Sequence, residues 1–484
     1  EFSVIANIRM HNIQGLAGGA INVLDANMMF LLNEICFNHS TTTGGGVMCN
    51  NLYGKHTTVL MLNHIHHNHA PRGGGISFVN DSGTVALANL IRDNTANENG
   101  GGVYVWAANS FILGNYIEGN ATQDPGSDGG GVSMVEPVQT ILAGNYIRNN
   151  LAPHQGGGLH VQGKAGLLTS MPRIALNYIT HNTTPFRGGG IAVDQNGPGI
   201  FLGNYVSDNT SVYGGGISCW ESSPAFFANV VSGNVGGDSL TPGQGGGFYL
   251  YDFGGILAGN QVMGNRSPSG GGVYFVTSGS PPGPEADFSL NRIAGNTARL
   301  GAGLFLHGDH APSLLMNTIR DNVADSLGGG LFLSGGSSPV LGGNNIMRNV
   351  ATGAGGGAYV SGPGTDPAFG GSGMGGGLTN TFQANEALLG GAICYTDQAN
   401  PTGAHGMYYG NEALRGGAIY CDAPAGTFEE NTFDWNKAWQ NGGAIFVPQG
   451  MSPVLRRNTF TRNIGGAWAG AKGRSPEAGK AGNG

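Results

Sequence analysis

The sequence predicts an all-β fold, a single-stranded right-handed parallel β-helix (a solenoid) of about 17 coils with three short strands per coil. A pattern of two asparagines five residues apart, a glycine-rich corner and a short apolar strand is repeated along almost the whole chain, and its second asparagine occurs 17 times, at spacings of 25 to 36 residues. No stretch has sustained helical periodicity, and the apolar runs are short and rich in β-branched and aromatic residues. One such unit cannot bury a core alone, so neighbouring units must stack.

The glycine triplets predict a sharp corner in each coil, because glycine reaches positive φ and lets backbones approach closely. No helix or Lys-Ser/Thr pair follows them, which argues against phosphate-binding loops. The asparagines are also predicted at corners, because Asn tolerates the left-handed region. Stacked one per coil, their amides are expected to form a hydrogen-bonded ladder.

In the strand after each triplet, the side chains are predicted to alternate between the core and the outer face. Counted from the first glycine, positions +3 and +5 are apolar, as at Val47, Val103 and Leu331 for +3. These positions are predicted to face the core and position +4 to face outward. Cys219 and Cys421 stand at +5 and are expected to be buried thiols.

Composition narrows the function classes. The net charge is −8, from 21 basic and 29 acidic residues, and the sequence has no basic stripe, so nucleic-acid binding is not expected. No apolar run is long enough for a membrane span. Residues 1–466 are predicted to form the β-helix and residues 467–484 a flexible Gly-rich tail.

A histidine-rich stretch is the candidate metal site. His39 and His69 each follow the second asparagine of neighbouring repeats and are expected to stack, and His64 and His66 share one strand face. Clustered imidazoles suit zinc or copper. The alternative is a solvated polar face. No cofactor is required by the sequence; Ca²⁺ and a His-bound transition metal are the candidates.

Two carboxylates form the candidate catalytic pair. Glu221 and Asp252 occupy position +7 in adjacent coils, which places their backbones one strand spacing apart. Carboxyl groups about 5 Å apart are typical of retaining glycosidases. The alternative is an ordinary solvated edge.

Other polar and aromatic residues accompany this pair. Trp220 and Tyr251, at +6, could stack on sugar rings, and Asp194 shares their register as a further candidate ligand-binding residue. Lys164, in an inserted coil, is the candidate base if the chemistry is β-elimination.

The residues at position +4 form a regular column along the second half of the chain. Position +4 carries a ring or a thiol in eight consecutive coils and predicts a long outward apolar stripe. It could be a glycan platform, a partner or self-association face, or a surface covered by a loop. The column comprises Tyr249, Tyr274, Phe305, Phe332, Tyr359, Cys394, Tyr420 and Phe446.

The repeats resemble two groups of known proteins. Gly-Gly-Ala-Ile at 390–393, 416–419 and 442–445, with Phe-x-x-Asn at 382–385, 433–436 and 460–463, is similar to the repeats of chlamydial-type polymorphic outer membrane proteins. The broader Asn-x-Ile-x-x-Asn and Gly-Gly-Gly-Ile pattern resembles bacterial β-helix repeat proteins of the pectate-lyase-like superfamily. The first resemblance implies a surface adhesin, and the second implies the fold together with polysaccharide lyases and glycoside hydrolases. No catalytic motif of those enzymes is matched.

Two functions therefore remain open. The first is a secreted or cell-surface β-helix scaffold with an adhesive or glycan- or partner-binding role and no catalysis. The second is a polysaccharide lyase or glycoside hydrolase acting in a groove over the middle coils. The expected partner is a polysaccharide, a cell-surface glycan or another protein chain. An extracellular or bacterial cell-surface location is expected from the fold class alone. No signal peptide is read in this sequence, which we expect to be a mature region or a fragment.

Overall fold

A computed structural model of the chain describes residues 2–51, 56–80, 82–163, 171–197, 199–237, 241–279, 285–370 and 378–466. Within these ranges the regular structure is β and the paired strands are parallel, which confirms the predicted solenoid. The predicted tail, residues 467–484, lies outside them. The described residues contain no helix that is long and apolar enough to cross a bilayer.

Four sheets run along the solenoid, named sheets 1 to 4 in the order in which the chain visits them. Sheets 1 and 2 have 17 strands each and sheet 4 has 16, as three strands per coil predict. Sheet 3 was not predicted. It is divided among segments of 5, 2 and 7 short strands that precede the glycines, where the sequence has no clear alternation.

The strands of sheet 1 are Ser3–Ala6, Met28–Leu31, Thr58–Met61, Ser82–Leu87, Asn109–Leu113, Ile141–Ala143, Arg173–Ala175, Ile200–Leu202, Ala225–Phe227, Ile256–Ala258, Asp287–Ser289, Ser313–Leu315, Val340–Gly342, Ala368–Phe369, Thr402–Ala404, Thr427–Glu429 and Val454–Arg456. Those of sheet 2 are Arg9–His11, Glu34–Cys36, His64–His66, Leu90–Arg92, Tyr116–Glu118, Tyr146–Arg148, Tyr178–Thr180, Tyr205–Ser207, Val230–Ser232, Gln261–Met263, Arg292–Ala294, Thr318–Arg320, Asn345–Met347, Thr381–Gln383, Met407–Tyr409, Thr432–Asp434 and Thr459–Thr461.

The strands of sheet 3 are Gln14–Gly15, His39–Ser40, His69–Arg72, Thr95–Asn99, Ala121–Thr122, Thr210–Ser211, Val235–Gly236, Thr297–Leu300, Val323–Leu327, Val350–Ala351, Glu386–Leu389, Glu412–Arg415, Lys437–Asn441 and Ile464–Gly465. Those of sheet 4, which follow the glycines, are Ile21–Leu24, Val47–Asn50, Ile76–Val79, Val103–Trp106, Val132–Val135, Leu159–Gln162, Ile191–Asp194, Ile217–Trp220, Phe248–Tyr251, Val273–Val276, Leu304–His307, Leu331–Ser334, Ala358–Ser361, Ile393–Thr396, Ile419–Cys421 and Ile445–Phe446.

A continuous apolar core fills the interior of the solenoid. Positions +3 and +5 of sheet 4 point into it as predicted, with Val47, Val103 and Leu331 fully buried. Cys219 and Cys421 belong to the same core, and all five cysteines are buried. Each coil therefore contributes apolar surface that only its neighbours can cover.

The three glycines of a corner have different tasks. Gly188 has a φ of 65°, which suits a residue without a Cβ. Gly189 does not need positive φ, but a Cβ there would lie 2.5 Å from the Gly215 carbonyl oxygen of the next coil. A Cβ on Gly190 would lie 2.7 Å from the carbonyl oxygen of Gly216. The first glycine makes the turn, and the other two allow adjacent coils to approach.

The predicted asparagine ladder is present. The backbone N–H and Nδ2 of Asn150 both donate to Oδ1 of Asn182 at 3.0 Å, and Nδ2 also donates to the carbonyl of Ile117. Oδ1 of Asn150 accepts the same pair of bonds from Asn120. The left-handed conformation is not on the ladder residue but on the residue before it, Asn149, with a φ of 56°. The predicted left-handed backbone is therefore wrong for the ladder asparagines, whose buried amides form hydrogen bonds, whereas Asn7 and Asn12 of the first repeat do adopt it.

Candidate functional site

The aromatic column on sheet 4 is buried, so the predicted exposed stripe is corrected. Tyr249, Tyr274, Phe305 and Phe332 are only 5 to 8% exposed, although they lie on the outer face of the sheet. Successive ring centroids are 5.7, 4.7 and 4.5 Å apart with nearly parallel planes. Because each ring covers the faces of its neighbours, the column offers little ring surface to a sugar.

Side chains on both sides cover the column. Leu300 and Leu327, which come directly before the corners that begin at Gly301 and Gly328, pack on one side. Tyr251 and Val276, at +6, pack on the other side. Tyr359, Tyr420 and Phe446 are half-buried. The strands of sheet 3 end beside sheet 4, and their last residues cover one side of the column. The sequence of a sheet-4 strand alone does not reveal this cover.

A buried polar network replaces the rings in the preceding coils. His160 stands at +4, and its Nε2 lies 3.2 Å from Oδ1 of Asp194, while Nδ1 lies 3.3 Å from Oγ of Ser133. Gln155 donates to the other oxygen of Asp194 at 2.6 Å. His160 is 1% and Asp194 4% exposed. Asp194, predicted to bind ligand, is thus satisfied inside the protein.

In this network His160 and Asp194 are in contact out of water, and each favours the charged form of the other. Burial disfavours a charged His160, but the carboxylates of Asp194 and Asp128 outweigh it and raise the imidazole pKa. Burial also disfavours a charged Asp194, but His160 and the Gln155 amide hold the pKa of that carboxyl below its usual value. Ser133 is fully buried as well, so the Ser–His–Asp arrangement lacks access for a substrate.

Arg187 lies near the carboxylates of this network. Its guanidinium carbon lies 4.8 Å from the ring centroid of Phe186 and 4.3 Å from that of Trp220. Its Nε and Nη1 are buried and make no hydrogen bond with the described residues. Burial lowers the pKa of Arg187, and the Asp194 carboxylate partly offsets this lowering. The cation is held by ring faces and by the field of nearby carboxylates.

An acidic groove of about 690 Å³ lies where the chain leaves sheet 4 in the middle coils. Both candidate catalytic carboxylates line it, together with residues from four further coils. Among the described residues that line it there is no Lys or Arg. The principal polar and aromatic lining residues are Glu221, Tyr251, Asp252, Glu285, Asp309 and His310.

Glu221 and Asp252 are held differently. Oε1 of Glu221 accepts a hydrogen bond from the Trp220 indole N–H at 3.1 Å, and Glu221 is exposed. Oδ1 of Asp252 accepts from the Ser278 backbone N–H at 2.8 Å, and Asp252 is half-buried. Both residues have positive φ, 45° and 46°, at the corner that ends the strand. Trp220 and Tyr251 stack on each other at 3.8 Å with an angle of 5°.

The floor of the groove is aromatic. Phe275 and His310 stack with ring centroids 4.3 Å apart. Burial lowers the pKa of His310 to about 4, so this imidazole is neutral near pH 7. Lys164, the candidate base, lies outside the described residues.

The predicted histidine quartet is divided between two sheets. His39 and His69 stack in sheet 3 with ring centroids 5.1 Å apart, as expected. His64 and His66 lie in sheet 2, where His64 accepts from Arg92 and His66 contacts Glu34. The four histidines, which we predicted to cluster, therefore lie as two pairs in different sheets.

A ladder of four exposed tyrosines on sheet 2 was missed. Tyr116, Tyr146, Tyr178 and Tyr205 are 38 to 47% exposed and lie in register in consecutive coils. The first two pairs stack at 4.7 and 5.0 Å. The signal was an Asn-Tyr dipeptide repeated in four successive coils.

Comparison with known proteins agrees with this architecture. A family model described as a right handed beta helix region matches residues 114–293, which include the buried polar network and most of the acidic groove. No curated protein matches the chain. The family match, which covers residues 114–293, and the stacked parallel strands agree on one fold, a right-handed parallel β-helix.

Proposed function

We propose that this protein is an extracellular or cell-surface β-helix scaffold that binds a neutral polysaccharide in the acidic groove without cleaving it. The observation that carries the proposal is the groove itself, where carboxylates from adjacent coils surround the Tyr251 ring and an aromatic floor. Concave sites with an apolar lining and a few convergent polar groups are typical of ligand binding.

The charge of the groove favours a neutral glycan. Glu221, Asp252, Glu285 and Asp309 place four carboxyl groups along it, and the described lining has no Lys or Arg. Ionised carboxylates only accept hydrogen bonds, which suits sugar hydroxyl donors. A uronate polymer would bring its own negative charges to this surface and be repelled. We therefore favour hydroxyl-rich neutral chains over uronates.

The scaffold proposal also fits the rest of the molecule. The regular coils provide a long rigid support, and the resemblance of the last repeats to surface adhesins points to the same role. Much of the aromatic surface on sheet 4 is committed to packing, which leaves the groove as the better candidate contact region. Extracellular or cell-surface placement forms part of this proposal.

Glycoside hydrolysis is the second candidate, favoured by one observation. Glu221 and Asp252 come from adjacent coils and line the same groove. Two carboxylates across a sugar are the machinery of glycosidases. Against this role, +7 has positive φ in other coils too, as at Glu136 and Gln195, so acidic and amide residues there have a purely conformational use.

The test combines binding and turnover on one panel. Purified protein is titrated with neutral and uronate oligosaccharides, with and without Ca²⁺, while reducing ends and unsaturated products are followed. Glu221→Gln and Asp252→Asn are compared with Glu136→Gln, which changes a carboxylate at the same corner of a coil that does not line the groove.

We expect binding of a neutral glycan without product formation, weakened about tenfold or more by either groove substitution and unchanged by Glu136→Gln. Turnover that either groove substitution abolishes would replace the scaffold proposal with the hydrolase. Preference for uronates, or equal loss with Glu136→Gln, would contradict the groove assignment.

A further inference from the structure

We infer that Glu34, Cys36 and His66 form a Zn²⁺ site on the outer face of sheet 2, near the first coils. The stacking register brings these residues together, because His66 is the Cα partner of Cys36 and His64 that of Glu34 in adjacent strands. One ligand atom from each of the three residues lies within 4.8 Å of the other two. This site is independent of the groove and shares only His66 with the quartet that the sequence suggested.

The donors are enclosed even though they face outward. Ile35 and Ile65, between them along the strands, point into the core, so Glu34, Cys36 and His66 lie on the opposite face. Cys36 is fully buried and His66 is 7% exposed, while the Glu34 side chain is 39% exposed. Two enclosed donors and a partly exposed carboxylate make a small site with its opening at Glu34.

The chemistry of the set fits zinc. Thiolate, imidazole and carboxylate are the three side-chain ligands that Zn²⁺ uses, with water able to complete a tetrahedron. Nε2 of His66 already lies 3.2 Å from Oε1 of Glu34, so modest contraction around one ion suffices.

Arg9 is the internal competitor for this site. Its Nε lies 3.0 Å from Oε2 of Glu34, and its Nη2 lies 3.8 Å from Sγ of Cys36. The Arg9 side chain is 55% exposed, so it can move into solvent when a dication takes its place. Removing this cation should strengthen metal binding, whereas a merely structural role of the cluster predicts no such gain.

The experiment titrates the metal-free protein with Zn²⁺ against a chromophoric chelator and with Co²⁺, whose thiolate charge-transfer absorption reports a cysteine ligand. We expect one equivalent and a Co²⁺–thiolate band. Cys36→Ser and His66→Gln should weaken binding by at least about tenfold. Arg9→Ala should tighten it, and His39→Asn, in the other histidine pair, should leave it unchanged.

Thermal melting with and without Zn²⁺ provides a second measurement, which would separate loss of metal binding from loss of folding in a variant. Zn²⁺ should raise the melting temperature of the unaltered protein and of Arg9→Ala, because ligands stabilise the state that binds them. Absence of a one-to-one complex would overturn the inference. So would the lack of a thiolate band, or binding that His39→Asn abolishes and Cys36→Ser does not.

Discussion

Nε2 of His160 and Oδ1 of Asp194 lie 3.2 Å apart on the outer face of sheet 4, and both side chains are buried. The pair joins two adjacent coils, and one further coil, with Ser218 at +4, separates it from the aromatic column. Gln155 and Ser133 complete its hydrogen bonding, so this outer surface is packed and satisfied like an interior. Rigid packing on both faces of sheet 4 fixes the strand ends from which the groove carboxylates project.

The stability that this pair provides should depend on pH. The raised pKa of His160 gives stabilisation that is complete below its unfolded value and is lost as pH rises through the folded value. The lowered pKa of Asp194 gives stabilisation that is present above its unfolded value and is lost as pH falls through the folded one. The melting-temperature difference between the unaltered protein and Asp194→Asn should therefore be largest between about pH 4 and pH 6.5.

The double variant provides the control for this prediction. If the two groups act as a pair, His160→Gln combined with Asp194→Asn should cost less than the two single losses added together. Breaking a buried pair from one side costs about 3–5 kcal/mol. A melting difference that is constant from pH 4 to pH 9, with additive single losses, would count against the ion pair.

The asparagine ladder should be more important for stability than the residue beside it. Asn150→Ala removes the acceptor of two buried donors from Asn120 and should cost about 2–6 kcal/mol, at ~1–3 kcal/mol for each unsatisfied group. Asn149→Gly, in the same turn, keeps the left-handed backbone and should change little. Denaturant unfolding measures both, and equal losses would refute the ladder's role.

The aromatic column should act as packing. Phe305→Ala leaves a gap between Tyr274 and Phe332 and should destabilise the protein by about 3 kcal/mol. Tyr116→Ala removes an exposed ring of the tyrosine ladder and should cost less than about 1 kcal/mol. The free energy of unfolding distinguishes them. A Phe305→Ala protein of unchanged stability would mean that the column is open to a partner.

Two glycines are required for different reasons, Gly189 by a close backbone contact and Gly259 by its positive φ, and they offer a further comparison. Gly189→Ala would place a methyl group 2.5 Å from a backbone oxygen of the next coil, and should cost more than about 4 kcal/mol or prevent folding. Gly259→Ala meets no atom within 4 Å but has a φ of 67°, so only about 1 kcal/mol of backbone strain is expected. Soluble yield and denaturant midpoints rank the two variants, and the reverse order would contradict the corner geometry.

Much of the fold was predictable because one repeat specifies one coil. The inward residues Val47 and Val103, the ladder asparagines and the three long sheets follow from period and alternation alone. The identity of the left-handed residue did not follow, since Leu176 and His181 adopt positive φ there despite poor intrinsic preference. Stacking of the coils imposes positive φ on the residue that precedes each ladder asparagine, whatever its side chain.

The candidate site was only partly predictable. Glu221 and Asp252 were found because they share one position in adjacent coils, and they do line one groove. The His160–Asp194 contact was missed because it joins position +4 of one coil to position +6 of the next. Burial of the column was missed because its cover comes from sheet 3 as well as sheet 4.

The most direct test of the proposed binding groove is backbone hydrogen exchange with and without a saturating neutral oligosaccharide. We predict slowed exchange in residues 221–223, 251–254 and 309–312, which line the groove, and no change along the tyrosine ladder, residues 116–118 and 146–148. Slowed exchange along that ladder instead, with the groove unaffected, would contradict the account and place glycan binding on sheet 2.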